Sequence, residues 1–419
     1  MRFFSTMPLI LILIITIIDL YVFQAVRTVT SGSSDNVKRW IYFIFWLITF
    51  ISILTIAVSY VYKFSAWDKT FRTYLSVSIM IVYISKILVL PFLLIDDIIR
   101  FGRWVVMKLS GPGTIPTDRG DQTISRSVFL SSAALIIAAI PFSSLTYGLI
   151  RGPYRYKVRR QRLYFANLPK SFDGLRLLQI SDIHTGSFSG VPPMEHAVEM
   201  IMAEKADLIL FTGDIVNSMT EEAYPFIDTL KKLNAPLGVF SSTGNHDYGD
   251  YHDWESDEAK AKNWQDLIQL HKQLGWELLR NENRLIHKDG ESIGLGGSEN
   301  WSTVARFPKY GDLKKTLTGL ENTPFNILMS HDPTHWKAEV VHYPVKADLT
   351  LAGHTHGMQF GVDFNWFKWS PVQYVYHEWA GLYKDNNRYL YVNRGLGFIG
   401  YPGRVGVMPE ITVFELKKG

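Results

Sequence analysis

The residues able to do chemistry in this chain fall into short motifs: Asp182-Ile183-His184, Gly213-Asp214, Gly244-Asn245-His246-Asp247, Ser330-His331 and Gly353-His354-Thr355-His356. Each follows an apolar run of β type, at 175–180, 208–211, 237–240, 325–329 and 349–352. Successive strands therefore deliver polar groups at their C-terminal ends, where open α/β sheets place ligands. A lone Asp after a strand is ordinarily a turn or helix cap. A series of such motifs, each ending a strand, points to metal instead. Nitrogen and oxygen donors without sulfur suit manganese, iron or zinc better than magnesium or calcium. Two such cations about 3.5–4 Å apart neutralise the charge that makes a phosphodiester resist attack, and supply hydroxide near neutral pH.

The order Asp-x-His, Gly-Asp, Gly-Asn-His-Asp, His, Gly-His-x-His resembles the calcineurin-like metallophosphoesterases over residues 175–416. Gly353-His354-Thr355-His356-Gly357-Met358-Gln359, Asn393-Arg394-Gly395-Leu396-Gly397 and Pro409-Glu410-Ile411 are similar to a membrane-associated bacterial branch. That branch includes envelope phosphodiesterases and a hydrolase of UDP-2,3-diacylglucosamine. Met358 stands where the family usually has a second glycine, a departure that touches the loop beside His356 and removes no ligand. The resemblance implies two divalent transition-metal ions. Asp182, His184 and His356 would hold the first, Asn245, His331 and His354 the second, with Asp214 as the bridge. Alternation in an extended Gly-His-Thr-His segment would point His354 and His356 to the same side.

His246 sits next to a ligand and is not assigned to metal. It is expected to stabilise the transition state or protonate the leaving oxygen, with Asp247 holding its ring. Hydroxide between the metals would be the nucleophile, so no covalent phosphoenzyme should form. Arg394 follows a strand, and its guanidinium could fork onto phosphate or close an ion pair in a C-terminal turn. Residues 360–383 hold Phe364, Trp366, Phe367, Trp369, Tyr374, Tyr376, Trp379 and Tyr383 around Pro371 and Gly381, which is no single helix face. One reading makes Trp366 and Trp369 part of an apolar wall or lid for acyl chains, or an edge dipping into the membrane interface. The other makes the stretch a hydrophobic minicore under a long loop. His196, His271, His287, His335, His342 and His377 lie away from the motifs and read as surface or core residues, while His252 is open between the two.

The elements that must position these groups belong to the second part of the chain. At 419 residues the sequence can hold two units with full cores. Apolar stretches near 8–26, 40–62, 74–95 and 128–150 are long enough to cross a bilayer as helices. Aromatic residues such as Trp40, Tyr62 and Tyr74 cluster at their ends, as interfacial residues do. The first stretch is interrupted by Asp19 and lacks a small-residue cleavage site, so it reads as a retained span. Asp19 and Lys86 each lie about 12 residues, or about 18 Å, into their spans. They either pair within the bundle or, with shifted boundaries, Lys86 snorkels to the interface. The connection 96–126 carries Arg100, Arg103, Trp104 and Lys108 before a Gly111-Pro112-Gly113 breaker and can lie on the membrane surface. Loop Lys and Arg are slightly more numerous on the side that carries residues 151–162, which favours a cytoplasmic catalytic domain if those residues count as a loop rather than as the domain's first strand.

The expected architecture is an N-terminal all-α four-span membrane domain, 1–150, and an α/β metallophosphoesterase domain, 151–419. The resemblance makes the latter two face-to-face mixed β-sheets flanked by helices. A strand is expected at 154–165, helices near 194–205, 220–233, 258–274 and 333–342, and further strands at 389–392 and 411–416. A net charge of +4 on so long a chain gives no reason to expect nucleic-acid binding. The absence of cysteine excludes disulfides, Cys-ligated zinc and thiol chemistry. Three functions fit these readings. The first is a membrane-anchored phosphoesterase acting on a lipid-linked or envelope phosphodiester or pyrophosphate. The second is the same enzyme on soluble phosphate esters or nucleotides. The third is a non-enzymatic membrane sensor or transporter with a metal-binding domain.

Overall fold

The structure, a computed structural model, describes residues 7–62, 64–110, 126–364 and 366–419. The Gly111-Pro112-Gly113 breaker lies outside them. Two compact units form, Met1–Tyr147 and Gly148–Gly419. The first is built from α1 (Met7–Val29), α2 (Asp35–Val61), α3 (Lys69–Ile87), α4 (Leu90–Ser110) and α5 (Arg126–Arg151), α5 running on into the second unit. Among the described residues four segments are long and apolar enough to cross a membrane: α1, α2, α5 and the stretch Lys69–Leu109. That last stretch is two helices, where a single span over 74–95 was expected. Pro91 has no N–H to offer the carbonyl of Ile87 and its ring crowds the preceding turn, so α3 stops and α4 restarts. Residues 96–110 are correspondingly helical, and Val89 in the turn before α4 and Leu93 in its first half pack against Val22, Ala25, Ala134 and Ala138.

Asp19 and Lys86 meet inside this bundle. Lys86 Nζ lies 2.6 Å from Asp19 Oδ1, both residues are buried, and Tyr83 and Thr49 donate hydroxyl hydrogen bonds to Asp19 Oδ2. The ammonium also sits 4.5 Å from the centre of the Phe45 ring. The pairing alternative is therefore the one realised, and snorkelling is not. A charge left alone in hydrocarbon costs several kcal/mol, and the pair with its two hydroxyls removes both orphans together.

In the second unit one sheet has the order β1 (Lys157–Phe165), β14 (Glu410–Lys418), β2 (Leu175–Ile180), β3 (Leu208–Phe211), β4 (Val239–Ser241), β5 (Glu277–Leu278). Only the β14–β2 pair in it is antiparallel. The other sheet has the order β12 (Gly381–Asp385), β13 (Arg388–Val392), β9 (Leu349–Ala352), β8 (Asn326–Met329), β7 (Glu291–Gly297), β6 (Glu282–Lys288). Here the two edge pairs are antiparallel and the inner pairs parallel. A short ribbon, β10 (Val362–Asp363) with β11 (Lys368–Trp369), stands apart.

The sheets pack face to face through Leu177, Leu210 and Phe240 on one side and Leu295, Ile327 and Leu351 on the other. Alternate residues, such as Leu178 and Ile209, face outward onto α6 (Val191–Ala203), α7 (Ile227–Leu230) and α8 (Asp257–Leu274). On the far side α9 (Leu313–Leu317) and α10 (Thr334–Ala338) cover Leu328, Ala352 and Val392. Strands covered on both faces favour apolar residues on each, which is why β3 is an unbroken apolar run and β8 and β9 carry one polar residue apiece, Asn326 and Thr350, both buried. The stretch expected to be one helix at 220–233 is a 3-10 segment followed by a single α turn, because Pro225 interrupts it. By contrast α8 is well framed: Ser256 Oγ accepts from Ala259 N, and Gly275 takes the left-handed C-terminal position.

Replacing Lys86 by Ala leaves Asp19 buried without its partner and should destabilise the bundle by about 3–5 kcal/mol. The double variant with Asp19→Ala should lose clearly less than the sum of the two single losses, as read by thermal unfolding in detergent. Additive losses would show that the two charges do not depend on each other.

Candidate metal centre

The C-terminal ends of β2, β3, β4, β8 and β9 converge on one edge of the two sheets. Their last residues hand over to backbone that ordinary side chains avoid. Among the described residues, left-handed backbone at non-glycine positions occurs at Asp182, His184, Asp214, His354, His356, Met358 and Gln359, and elsewhere only at Lys205, Asn281, Asp289 and Asn386. Each such residue costs of the order of 1–3 kcal/mol, and persists where the surroundings over-determine it, as at functional sites. The segment carrying His354 and His356 is consequently not extended, as alternation along it would need. Left-handed turns at φ 72° and 50° aim the two rings instead.

The seven expected ligands come together, in two groups. Metal-binding atoms of Asp182, His184 and His356 lie within 4.8 Å of one another, as do those of Asp214, His331 and His354. Asn245 joins the second group, its Oδ1 2.7 Å from His354 Nδ1. Asp214 Oδ2 stands between the groups, 3.0 Å from His331 Nε2 and 3.7 Å from His184 Nε2. His184 and His356 face each other Nε2 to Nε2 at 3.0 Å. The far nitrogens are fixed: His184 Nδ1 lies on the Val216 carbonyl at 3.1 Å and His331 Nδ1 on the Thr212 carbonyl at 2.7 Å. A carbonyl only accepts, so each Nδ1 carries hydrogen and each Nε2 is left to bind a cation. Gly244 is required here, because a Cβ on it would strike the Asp214 carboxylate, and at Gly353 one would strike that of Asp182.

Charge makes the same demand. Burial would raise the carboxyls of Asp182 and Asp214, but the neighbouring imidazoles outweigh it, His356 foremost for Asp182 and His331 for Asp214, so both stay below the usual carboxylate range. For His331, burial acts to lower its pKa, and the Asp214 carboxylate overrides this and carries it up to about 10. His184, His354 and His356 are pushed down by burial. The carboxylates thus call for positive charge at their imidazole side, which a divalent cation satisfies in place of a proton. The donor set fits such ions.

Asp247 does not hold the His246 ring. Its carboxylate accepts from the backbone N–H groups of Asp214, Ile215 and Gly244 at 2.8–2.9 Å, tying two ligand loops together. Burial and then the Asp214 charge raise it to about 7. The His246 ring is oriented instead by the Asn217 carbonyl, 2.6 Å from Nδ1. Arg394 does not reach toward phosphate either. It is buried, with Nη1 2.6 Å from Glu410 Oε2 and Nη2 3.0 Å from Asp363 Oδ1, so the ion-pair alternative holds.

A cleft of about 710 Å³ opens over the two groups, and Trp366 and Trp369 are not part of its wall. Phe307, Met358, Val372, Val375 and Tyr376 supply its apolar side, and Arg306 its cation. The aromatic stretch divides: Tyr376 and Trp379 form a small buried cluster with Ala380 and Val407, whereas Trp366 is 83% exposed. Sequence reasoning missed several supporting residues. Asp332 Oδ2 lies 3.4 Å from His354 Nε2 and the Tyr376 hydroxyl 2.8 Å from the same nitrogen, which leaves Nδ1 for the site. Arg404, fully buried, donates to the carbonyls of His356, Arg394, Gly395 and Gly397. Asp332 directly follows a ligand and was legible in principle; Arg404 carries no local signal.

Comparison with known proteins gives two family matches: "Calcineurin-like phosphoesterase" over residues 175–358, and "Probable Calcineurin-like phosphoesterase, transmembrane domain" over residues 1–153. The uncharacterized metallophosphoesterase YkuE of Bacillus subtilis is 32% identical over 304 residues, spanning 70% of this chain and 98% of that protein. A Danio rerio transmembrane protein with metallophosphoesterase domain is 30% identical over 292 residues, 68% of this chain and 62% of that protein. The UDP-2,3-diacylglucosamine pyrophosphatase LpxG of Chlamydia trachomatis is 26% identical over 326 residues, 65% of this chain and 92% of that protein.

Changing Asp332 to Asn removes the charge behind His354 while keeping its shape. Metal affinity should fall by roughly 10–100-fold, the usual effect of losing a partner behind a ligand. Manganese titration monitored by calorimetry would read it, and unchanged affinity would mean that Asp332 serves packing alone.

Proposed function

The chain belongs to the calcineurin-like phosphoesterases and is a metal-dependent phosphoester hydrolase of multi-pass membrane type; from that premise we propose that it cleaves a phosphodiester or pyrophosphate bond in a lipid-linked or envelope substrate. Membership of a hydrolase family sets aside the non-enzymatic sensor. The substrate reading is supported by the resemblance to a lipid pyrophosphatase and by a cleft whose wall is apolar beside the ligand groups. The observation that carries the two-ion hydrolytic site is the position of Asp214 Oδ2 within 4 Å of imidazoles from both groups.

In this reading Asp182, His184 and His356 would hold one divalent ion and Asn245, His331 and His354 the other, with Asp214 placed to serve both. Manganese, iron and zinc fit the donors. When bound, such ions supply charge neutralisation at the phosphoryl oxygens and hydroxide near neutral pH. The chain's own residues do the rest. His246, with Nδ1 committed to the Asn217 carbonyl, has Nε2 for a phosphoryl or leaving-group oxygen, to which it brings a hydrogen bond or a proton. Asp247 keeps the Asp214 and Gly244 loops in register. Arg306 at the cleft wall offers a cation to an anionic substrate. Residues 1–150 serve as anchor and 151–419 as the catalytic domain, on the cytoplasmic face by the positive-inside rule.

Assays in detergent with added manganese should show hydrolysis of nucleotide-linked lipids in preference to soluble nucleotides and diesters. The reverse preference would favour the soluble-ester alternative. Asp214→Asn should lower kcat by at least about 10³-fold on any of them, since several kcal/mol of charge stabilisation goes with the shared carboxylate. For the membrane face, a C-terminal fluorescent-protein fusion should fold and glow while a secreted-type alkaline phosphatase fusion stays inactive. The opposite pattern would put the catalytic domain outside.

A further inference from the structure

Trp366 sits at the tip of the β10–β11 ribbon, 83% exposed. Phe364 and Phe367 exchange both backbone hydrogen bonds, at 2.9 and 3.3 Å, which closes a tight turn. Phe364 stacks on Trp366 with ring centres 5.9 Å apart and planes 11° from parallel, and Phe367 flanks it at 5.9 Å. The three rings are 59, 83 and 48% exposed in chain order. They are not the wall of the cleft, so the metal centre does not account for them.

The base of the ribbon is held firmly. Asp363 is clamped by Arg394 and by Arg159, and Lys368 Nζ donates to the Ala380 carbonyl and contacts the Tyr383 hydroxyl. This is the use the structure makes of Arg394. A rigid base with an apolar aromatic tip is costly in water, because each aromatic ring offers 150–250 Å² for burial. A loop that bonds to this base also receives the end of α5, which is long and apolar enough to cross a membrane. Arg404 N donates to the Gly148 carbonyl at 3.2 Å, and a Cβ at Gly148 would strike Val405. Val405 in turn pairs with Gln359 and Gly361, the residues that lead into β10.

We infer that the Phe364–Trp366–Phe367 tip is a membrane-interface anchor, its rings seated at the boundary between lipid headgroups and acyl chains. Trp and its aromatic neighbours are the side chains that prefer this layer, with an apolar body and, for Trp, one N–H left for water or headgroup. Two features specify a bilayer as the occupant. The chain is a multi-pass membrane protein, and the same loop joins the ribbon base to the end of a membrane-spanning helix. Pro371–Tyr376, which follows the ribbon directly, contributes Val372, Val375 and Tyr376 to the cleft wall. Seating the tip would therefore bring the apolar side of the cleft to the interface, and a lipid-linked ester could pass in without leaving it. The contact itself needs only membrane residence. Its consequence for substrate delivery rests on the proposed hydrolysis of lipid-linked esters.

The chain has no cysteine, so a single one can be introduced and labelled without further change. Trp366→Cys carrying a nitroxide, with Tyr224→Cys as an exposed control, would be examined by power-saturation EPR in nanodiscs of mixed anionic and zwitterionic lipid. The label at 366 should be more accessible to oxygen than to a water-soluble nickel chelate, and the control the reverse. A label at 366 that behaves like the control, or one shielded from both reagents as at a protein interface, overturns the inference. A second measurement replaces Phe364, Trp366 and Phe367 by Ser, side chains whose exposure makes them dispensable for folding. Turnover of a phosphodiester lipid held in the nanodisc should drop by about tenfold, the factor that about 1.4 kcal/mol of lost contact gives. Turnover of a soluble chromogenic diester should hold. Equal rates on the bilayer substrate with and without the tip would overturn the delivery step. Absence of any diester hydrolysis in the unmodified protein would instead reject the proposed function and leave the EPR result to decide the anchor.

Discussion

Asp214 is the side chain on which the catalytic half of this protein is organised. One of its carboxylate oxygens lies within 4 Å of imidazoles from both ligand groups, and the other accepts the backbone N–H of His246. So buried an anion is sustained only by positive charge or several hydrogen bonds close by. The fold supplies imidazoles on one side and backbone on the other, and the donor geometry invites divalent ions to complete the balance. Much that looks incidental follows from holding this group still. Gly244 is needed because a side chain there would fill the carboxylate's place, and Asp247 grips the backbone on either side of it. Left-handed backbone recurs at ligand after ligand because short loops from different strands must turn sharply to meet at one point.

How much of this was legible beforehand depended on whether the signal was local. β2, β3 and β9 coincide with their expected limits, since their mostly apolar sequences are bounded by polar residues. The motifs were readable because each sits at a strand end, and the resemblance named the residues in them that would bind metal. The hairpin of β6 and β7 was overlooked although its turn residues, Asp289 and Gly290, both take positive φ and form a sequence pair typical of such turns. Roles that depend on distant partners were readable only as alternatives or not at all. Arg394 finds Glu410 and Asp363 across the fold, and the ring of His246 finds the carbonyl of Asn217, where a neighbour in sequence had been expected. For Trp366 and Trp369 only the cleft-wall alternative fails, because composition cannot tell a cleft wall from a solvent-facing tip.

The membrane unit shows the same division. Length and apolarity were enough to find the spans, whereas the break between α3 and α4 turned on one proline within an apolar run. Asp19 and Lys86 stood out as candidate partners because they lie at similar depth in their spans, but snorkelling of Lys86 was an equal reading until the helices were packed. The hydroxyls of Thr49 and Tyr83 that complete their shell could be seen only once the helices were packed.

The central claim, that Asp214 is shared by two cations, is open to direct observation. Crystals of the manganese-loaded protein, measured for anomalous scattering at the metal's absorption edge, should give two peaks about 3.5–4 Å apart. One should lie against Asp182, His184 and His356, the other against Asn245, His331 and His354, with the Asp214 carboxylate between. A single peak, or a pair located on other side chains, would contradict the account.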